Sequence, residues 1–387
     1  MEQQQITAWN VKGAVVNGVV QAIDYEKILV QFGSQLLTPR LIERFEKLTG
    51  RKAHHYMRRG IFYSHRDFDK ILDLYEQGKK FYLYTGRGPS SKSLHAGHMI
   101  PFIFCQYLQE AFDVPIVIQM TDDEKFLVNN MTMQEGALCL KNNVKDIIAC
   151  GFDLKKTFIF SNFRYYSGLL PNILKVNKRL TVNDSNKAFG FSELDCIGKF
   201  GFPAVQMVPC FSDSFPHIFG ASSSVPCLIP CAIDQDVYFR LLRRVVAPQL
   251  KYKKPSLLHS KFFPALQGAQ TKMSASVSSS SIFCDDSMEV IEKKIMEGAQ
   301  CENVDTSDDT KVTNNVVFTY LTFYMEDDQM LDKIKADYSA KLISKMELKK
   351  ILVTVLQEFF LNFQQKRKTV TDELVEQFMT VREMKFD

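Results

Sequence analysis

The sequence predicts an α/β fold built on a doubly wound parallel sheet, flanked by an N-terminal β-hairpin appendage and a C-terminal all-helical domain. Three observations carry this. Four short apolar runs, Phe81–Tyr84, Val114–Gln119, Thr157–Phe160 and Cys227–Ala232, alternate with segments of helical periodicity. Before them, Val15-Val16-Asn17-Gly18-Val19-Val20 sets β-branched pairs around Asn-Gly, a hairpin signal. After Ser281 the strand signals fade, while helical spacing continues through Met288–Met296, Val316–Tyr324 and Leu348–Phe363.

Each element has a local reason. Pro39 to Gly50 places Leu41, Ile42, Phe45 and Leu48 at helical spacing, with Gly50 suited to close the helix. Phe68, Ile71, Leu72 and Tyr75 repeat that pattern up to Gly78. The first strand runs into Gly86-Arg87-Gly88-Pro89-Ser90-Ser91, a turn-rich loop, and a helix is expected from about Leu94 to Phe112. Thr132 and Glu135 form a capping box for a helix ending near Gly151. The stretch between the third and fourth strands is mainly helical in pattern and reads as an insertion at about 160–220. The fourth strand leads into a helix from about Asp234 to Val246. Ser274–Ser281 holds six serines in eight residues, a mobile loop by composition. The expected division is an appendage over 1–75, a Rossmann-like domain over 76–276 and a helical domain over 277–387.

Composition narrows the class. Of 387 residues, 45% are hydrophobic and 24% charged, which excludes a disordered chain, a collagen-like fibre and a coiled-coil rod. No apolar run approaches the roughly 20 residues that span a bilayer, so no membrane partner is expected. The start, Met1-Glu2-Gln3-Gln4-Gln5, lacks the features of a signal peptide. Nine scattered cysteines without a CxxC pair argue for reduced thiols in a cytoplasmic protein rather than a disulfide frame or a zinc site. A formal charge of +4 names no partner. Its distribution says more: Val237–Cys284 contains no Asp or Glu but holds Arg240, Arg243, Arg244, Lys251, Lys253, Lys254, Lys261 and Lys272. Such a stretch suits polyphosphate or nucleic acid.

The chemistry concentrates at two motifs. His95-Ala96-Gly97-His98 follows the first strand and its glycine loop, where a helix begins. Imidazoles at i and i+3 share a helix face. A helix N-terminus favours anions, and Gly97 removes a side chain where a flat base could stack. At the carboxyl end of a parallel strand this suits the phosphates and adenine of ATP. The second motif is Thr271-Lys272-Met273-Ser274-Ala275-Ser276, where a lysine on a serine-rich loop could close over polyphosphate and neutralise developing charge.

The pair resembles the HIGH and KMSKS motifs of class I aminoacyl-tRNA synthetases. The runs Tyr82–Ser91, Thr121–Leu127, Asp146–Asp153, Leu228–Asp236 and Phe262–Ser276 are similar to the eukaryotic cytosolic tryptophanyl-tRNA synthetases. The resemblance implies that L-tryptophan attacks the α-phosphate of ATP, giving tryptophanyl-adenylate and pyrophosphate, and that tryptophan then passes to tRNA(Trp). Mg²⁺ would arrive with ATP; no carboxylate metal cage is visible. His95, His98 and Lys272 would be catalytic. Gly86, Gly88, Gly97, Lys125, Met273 and Ser274 would join them around ATP. Tyr84 and Gln119 would meet the indole N–H, and Glu124, Gln206 and Gln235 the amino acid's charged end, with Cys231 and Phe239 as pocket walls. Relatives of this kind are homodimers, with the insertion as the expected interface and the helical domain binding the anticodon.

Two departures stand out: Ala96 replaces the isoleucine of HIGH, where the side chain should face the core, and Ala275 replaces the second lysine of KMSKS. The family pattern is poorly matched between Glu297 and Thr313, so no anticodon-reading residue is carried over. Two other readings remain at this point: a tyrosine-specific synthetase, against which the Tyr84/Gln119 pair stands in place of an aspartate, and a non-catalytic RNA-binding paralogue, against which the intact motifs stand.

Overall fold

The computed structural model describes residues 4–9, 11–16, 18–128, 131–221, 224–273, 280–301 and 315–384. Its centre is a seven-stranded sheet. In chain order the strands are β1 (Gln35–Leu36), β2 (Phe62–Arg66), β3 (Tyr82–Arg87), β4 (Ile116–Met120), β5 (Thr157–Ser161), β6 (Cys227–Ala232) and β7 (Ser256–Ser260). Their spatial order is β1-β2-β7-β6-β3-β4-β5. The last five are parallel, while β1 and β2 run antiparallel at one edge. Among the parallel strands the order reverses between β3 and β6. That is the switch point of a doubly wound Rossmann-type sheet, where ligands lodge beyond the carboxyl ends.

Strand alternation divides the interior in two. Leu83, Ile116, Ile118, Ile159, Leu228 and Leu258 join the larger core, which takes in the helices Pro39–Thr49, Ala96–Phe112, Met133–Ala149, Val316–Tyr324 and Lys345–Lys368. Tyr82, Tyr84, Val117, Phe158, Phe160, Ile229 and Leu257 join the other, covered by Asn162–Asn177, Val182–Phe189, Ile197–Met207 and the turns after β6. The helical segment between β5 and β6 therefore covers much of one face of the sheet, and Tyr63 of β2 packs instead with Ile28 and Phe32 of the N-terminal region.

Most of the expected elements form where their local signals lie. Gly50 takes the left-handed conformation (φ 66°) that ends the Pro39–Thr49 helix, and Thr132 and Glu135 make the capping box. Val15–Val16 and Val19–Val20 pair as an antiparallel hairpin around Gly18 at φ 80°; Asn17 lies outside the described residues.

The differences are instructive. The first 35 residues are more than a hairpin: Gln5–Ile6 pairs with Val11–Lys12, and a helix occupies Tyr25–Phe32. The helix after β3 begins at Ala96, because His95 serves as its cap. The segment after β6 opens as a 3₁₀ turn at Ile233–Gln235, and a π-helical turn at Leu242–Val246 interrupts it. Of the serine-rich segment, 274–279 lie outside the described residues, but Ser280 and Ser281 are buried, so the loop ends earlier than composition implies.

Strands β2 and β7 mix buried apolar residues, Phe62, Tyr63, Leu257 and Leu258, with polar groups that satisfy one another. Ser64 Oγ lies 2.9 Å from His259 Nδ1, and His259 Nε2 lies 3.1 Å from Asp236 Oδ1. Arg66 donates to both Asp236 oxygens at 2.7 and 2.8 Å. Burial would raise the Asp236 carboxyl, but these hydrogen bonds outweigh it and hold it well below the usual carboxylate range.

The C-terminal helices are tied to the sheet domain by polar contacts as well as by the shared core. Asp146, fully buried, accepts from Arg367 Nε, from the Leu94 N–H at 2.9 Å and from Ser93 Oγ at 3.3 Å. Tyr324 Oη donates to the Ala96 carbonyl at 2.8 Å. Both contacts brace the turn where the His95 motif begins.

Candidate active site

The carboxyl ends of β3, β4, β6 and β7 open into one cavity of about 590 Å³. Gly86, Arg87 and Gly88 come from the end of β3, Thr121 from the end of β4, Glu124 and Lys125 from the helix Asp122–Val128 that follows it, Asp234 and Gln235 from the turn after β6, and Ser260 to Phe263 from the end of β7. His95, Gly97 and His98 form its wall at the start of the Ala96–Phe112 helix.

The two imidazoles stack with ring centroids 3.3 Å apart. His95 Nδ1 accepts the His98 N–H at 3.2 Å, and His98 Nδ1 accepts the His95 N–H at 3.5 Å. With each Nδ1 acting as acceptor, the ring protons sit on Nε2. Ala96 is fully buried in the larger core, as the substitution for isoleucine requires. A Cβ on Gly97 would stand 3.1 Å from Phe263 Cβ and 3.3 Å from the His95 ring, so glycine lets the helix start pack against the β7 end.

The second motif reaches the same place through its backbone. The strand Gly268–Lys272 pairs antiparallel with Pro264–Ala265, setting Lys272 opposite Pro264. The Met273 N–H donates to the Phe263 carbonyl at 2.9 Å, and Met273 lines the cavity. Lys272 is thereby anchored next to Phe263, which touches Gly97. The Lys272 side chain and all of Ser274 lie outside the described residues.

Glu124 and Lys125 pair at 2.9 Å, and Thr121 Oγ1 donates to Glu124 Oε2 at 3.3 Å. A Cβ on Gly88 would come within 2.4 Å of Lys125 Cε and 2.7 Å of Glu124 Oε2, so this glycine makes room for the pair.

Tyr84 lines the cavity. Its hydroxyl donates to Gln119 Oε1 at 2.6 Å and reaches the Gln206 carbonyl at 2.9 Å; burial holds its phenol well above the usual value. Gln119 is fully buried and does not line the cavity. Its amide nitrogen donates to Asn162 Oδ1 at 2.9 Å and to the Val205 carbonyl at 3.0 Å. Gln119 therefore stands behind Tyr84 and fixes its proton, leaving the Tyr84 oxygen to accept from the cavity side. Gln206, Gln235, Cys231 and Phe239 all line the cavity.

The lining residues not singled out as site residues from the sequence include Arg87, Lys261, Asp234 and Trp9. Arg87 is pushed down to about 10 by burial and still carries its charge at neutral pH. Lys261 lies over the Tyr25 and Tyr63 rings, and burial lowers its pKa. Asp234 follows β6, and Trp9 packs on Phe189, Phe191 and Tyr238 at the cavity edge. The basic stretch itself is partly scaffold: Arg243 pairs with Asp67 at 2.6 Å and Arg240 stacks on Phe32. Acids elsewhere in the chain supply the countercharge that the stretch lacks.

A Rossmann-type sheet with paired, capped histidines at its switch point defines a class I synthetase catalytic domain. The family model described as tRNA synthetases class I (W and Y) matches residues 76–193 and 223–361, and the chain belongs to that family. It is 50% identical to the cytoplasmic tryptophan–tRNA ligase of Homo sapiens over 100% of this chain and 83% of that one. It is also 50% identical to the cytoplasmic tryptophan–tRNA ligase of Schizosaccharomyces pombe, over 98% of each. The solved tryptophanyl-tRNA synthetase from Encephalitozoon cuniculi bound to tryptophan superposes with a TM-score of 0.85 at 41% identity, covering 93% of this chain and 100% of that one. Within the family, the chain stands in this tryptophan branch.

Proposed function

We propose that the protein is an ATP-dependent tryptophan–tRNA ligase: it joins L-tryptophan to the α-phosphate of ATP, releases pyrophosphate, and passes tryptophan to tRNA(Trp). The observation that carries the site assignment is the convergence of the capped histidines, the Tyr84–Gln119 pair and the Lys272 strand on one switch-point cavity. The tryptophan carboxylate is itself the nucleophile, so the chain's work is positioning and charge stabilisation. The indole N–H meets the Tyr84 oxygen, with Gln119 as a positioning residue. Gln206, Gln235 and Glu124 hold the charged end of the amino acid, and Cys231 and Phe239 flank the ring. The phosphate-binding role is assigned to the His95 and His98 Nε2–H groups, Lys125 and Lys272, and Gly86, Gly88, Gly97, Met273 and Ser274 are assigned to the same subsite.

Mg²⁺ bound to ATP would supply neutralising charge on the phosphate oxygens. Among the described cavity-lining residues the carboxylates are Glu124 and Asp234, and Glu124 is already engaged by Lys125. The chain thus supplies cations around the nucleotide rather than a carboxylate cage for the metal. Pyrophosphate exchange with each standard amino acid tests the assignment. Tryptophan-dependent exchange is expected; exchange driven by tyrosine would install the tyrosine reading, and tRNA binding without exchange the non-catalytic one.

The working form is a cytoplasmic homodimer. Phe163, Tyr166, Leu170 and Leu174 make an exposed apolar stripe along the Asn162–Asn177 helix, continued by Val182, Leu194 and Ile197. Leu194 and Ile197 are 98% and 87% exposed, which favours a second copy as cover. Light scattering should find two copies, and Leu170→Glu with Leu174→Glu should give one. No described helix is long and apolar enough to cross a membrane. Residues 76–276 make up most of the catalytic domain, with the 160–220 insertion, and 277–387 the anticodon-binding domain; the expected appendage over 1–75 is not separate from it, because it supplies β1 and β2 to the central sheet.

A further inference from the structure

A second cavity, of about 640 Å³, lies behind the helix that carries His98. It shares no lining residue with the active-site cavity. Met99, Ile103 and Tyr107 line it from one face of the Ala96–Phe112 helix, while His98, Pro101 and Phe102 line the active site from another. Phe359 and Phe363 of the C-terminal helix complete an apolar wall. This volume falls within the range of about 300–1,000 Å³ usual for small-molecule sites.

Its polar groups are mostly cations and donors. Lys52 and Lys366 are exposed, and Glu326 is the one carboxylate residue among the described lining residues. Nearby, Asp328 is already met by Arg58 and Arg59, with Lys52 at 3.7 Å, so three cations share that single carboxylate. His54 accepts the Tyr56 N–H on Nδ1 at 3.1 Å, which leaves its proton on Nε2. Burial holds the His54 ring down to about 3 and the His55 ring to about 4, so both are neutral at pH 7.

We propose that this cavity is a second ligand site, for a small aromatic molecule carrying one anionic group, and that its occupancy shifts the affinity for ATP. The aromatic part fits against Ile103, Tyr107 and Phe359, the partly exposed apolar residues of the lining, and the anion sits toward Lys52 and Lys366. A packed route leads to the active site. His55 Nε2 donates to the Phe323 carbonyl at 2.9 Å, Phe323 and Tyr324 pack on the Phe263 ring, and Phe263 lies against Gly97. Tyr324 also holds the Ala96 carbonyl. The ATP arm of this proposal rests on the function proposed above; the binding arm does not.

The test is calorimetric titration of the full chain, without nucleotide, with 1-naphthoate and with neutral 1-naphthamide. A single saturable site is expected, at least about fivefold tighter for the naphthoate. Ile103→Trp, which fills the wall, should abolish binding, and Lys366→Glu, at an exposed position, should weaken it several-fold. Saturating ATP should change naphthoate affinity by the factor by which naphthoate changes ATP affinity, without competition. No saturable binding, equal binding of the amide, unchanged binding in Lys366→Glu, or competitive displacement by ATP or tryptophan would each overturn the site. Binding with no mutual effect would overturn the coupling. Pyrophosphate exchange without naphthoate separately reports on the ATP reading.

Discussion

Replacing Tyr84 by phenylalanine removes one oxygen and nothing else, so it isolates the role assigned to the indole N–H. The lost hydroxyl is the hydrogen-bond donor at 2.6 Å to Gln119 Oε1 and at 2.9 Å to the Gln206 carbonyl, both in dry surroundings. An acceptor stranded in such a place costs about 1–3 kcal/mol, so the variant should unfold at lower urea by that amount. The same oxygen is the acceptor that the cavity offers to the substrate. Gln119 cannot readily swing forward to replace it, because its amide nitrogen is held by Asn162 Oδ1 and the Val205 carbonyl. Tryptophan should therefore lose a further 1–3 kcal/mol of transition-state binding, a fall in kcat/KM of about 5- to 150-fold. An isosteric amino acid with sulfur in place of the indole N–H has no such bond to lose. Steady-state pyrophosphate exchange with both amino acids gives the discriminating ratio: kcat/KM for tryptophan should drop while that for the sulfur analogue holds. Equal losses for the two would refute the argument and leave Tyr84 as a purely structural tyrosine.

Two other substitutions probe separate parts of the reasoning. Lys272→Ala should depress pyrophosphate exchange at least about 100-fold while leaving the equilibrium affinity for tryptophan within twofold, because the lysine is assigned to phosphate charge that develops during transfer; equal loss of both would make it structural. Asp236→Asn should cost about 3–5 kcal/mol in urea unfolding at pH 7, since it leaves the Arg66 guanidinium without its buried partner. The Asp236 carboxyl is depressed in the folded state, so its contribution is fully present above the unfolded value of about 4 and is lost as pH falls toward the folded value. The wild type should thus lose stability on acidification more steeply than the variant; parallel curves from pH 7 to pH 3 would contradict this.

The sequence made legible those parts of the fold whose signals are local. Apolar strands such as Ile116–Met120, capping boxes such as Thr132/Glu135 and helix-closing glycines such as Gly50 depend on neighbours in the chain, and they form where expected. Strands β2 and β7 were hidden because Ser64, Arg66 and His259 look like loop residues until Asp236, far along the chain, is folded against them. The same logic separates the site residues. HxGH and the lysine motif announce themselves by spacing. Arg87 and Lys261 look like ordinary surface cations, and only the convergence of strand ends makes them part of the cavity wall. Gln119 is the converse case: its strand-end position suggested direct contact, whereas its three polar contacts, with Tyr84, Asn162 and Val205, place it one layer back.

The capping arrangement explains why both histidines are needed where one would suffice to cap a helix. Cross-capping uses the Nδ1 atom of each ring and turns the two rings into a stack, which assigns both ring protons to Nε2 without requiring either imidazole to be charged. The Ala96 N–H is taken by the Ile282 carbonyl at 2.8 Å and the His98 N–H by His95. Gly97 is the position where a side chain would strike Phe263 and the His95 ring. A neutral donor array of this kind can follow a phosphate oxygen as charge builds on it, whereas a fixed imidazolium pair would repel itself at this separation. Positive charge is the part proposed for Lys272, whose backbone pairs with Pro264. The division of labour proposed above matches the two attachments: the histidines are locked by a helix cap, and the lysine lies at the end of a strand.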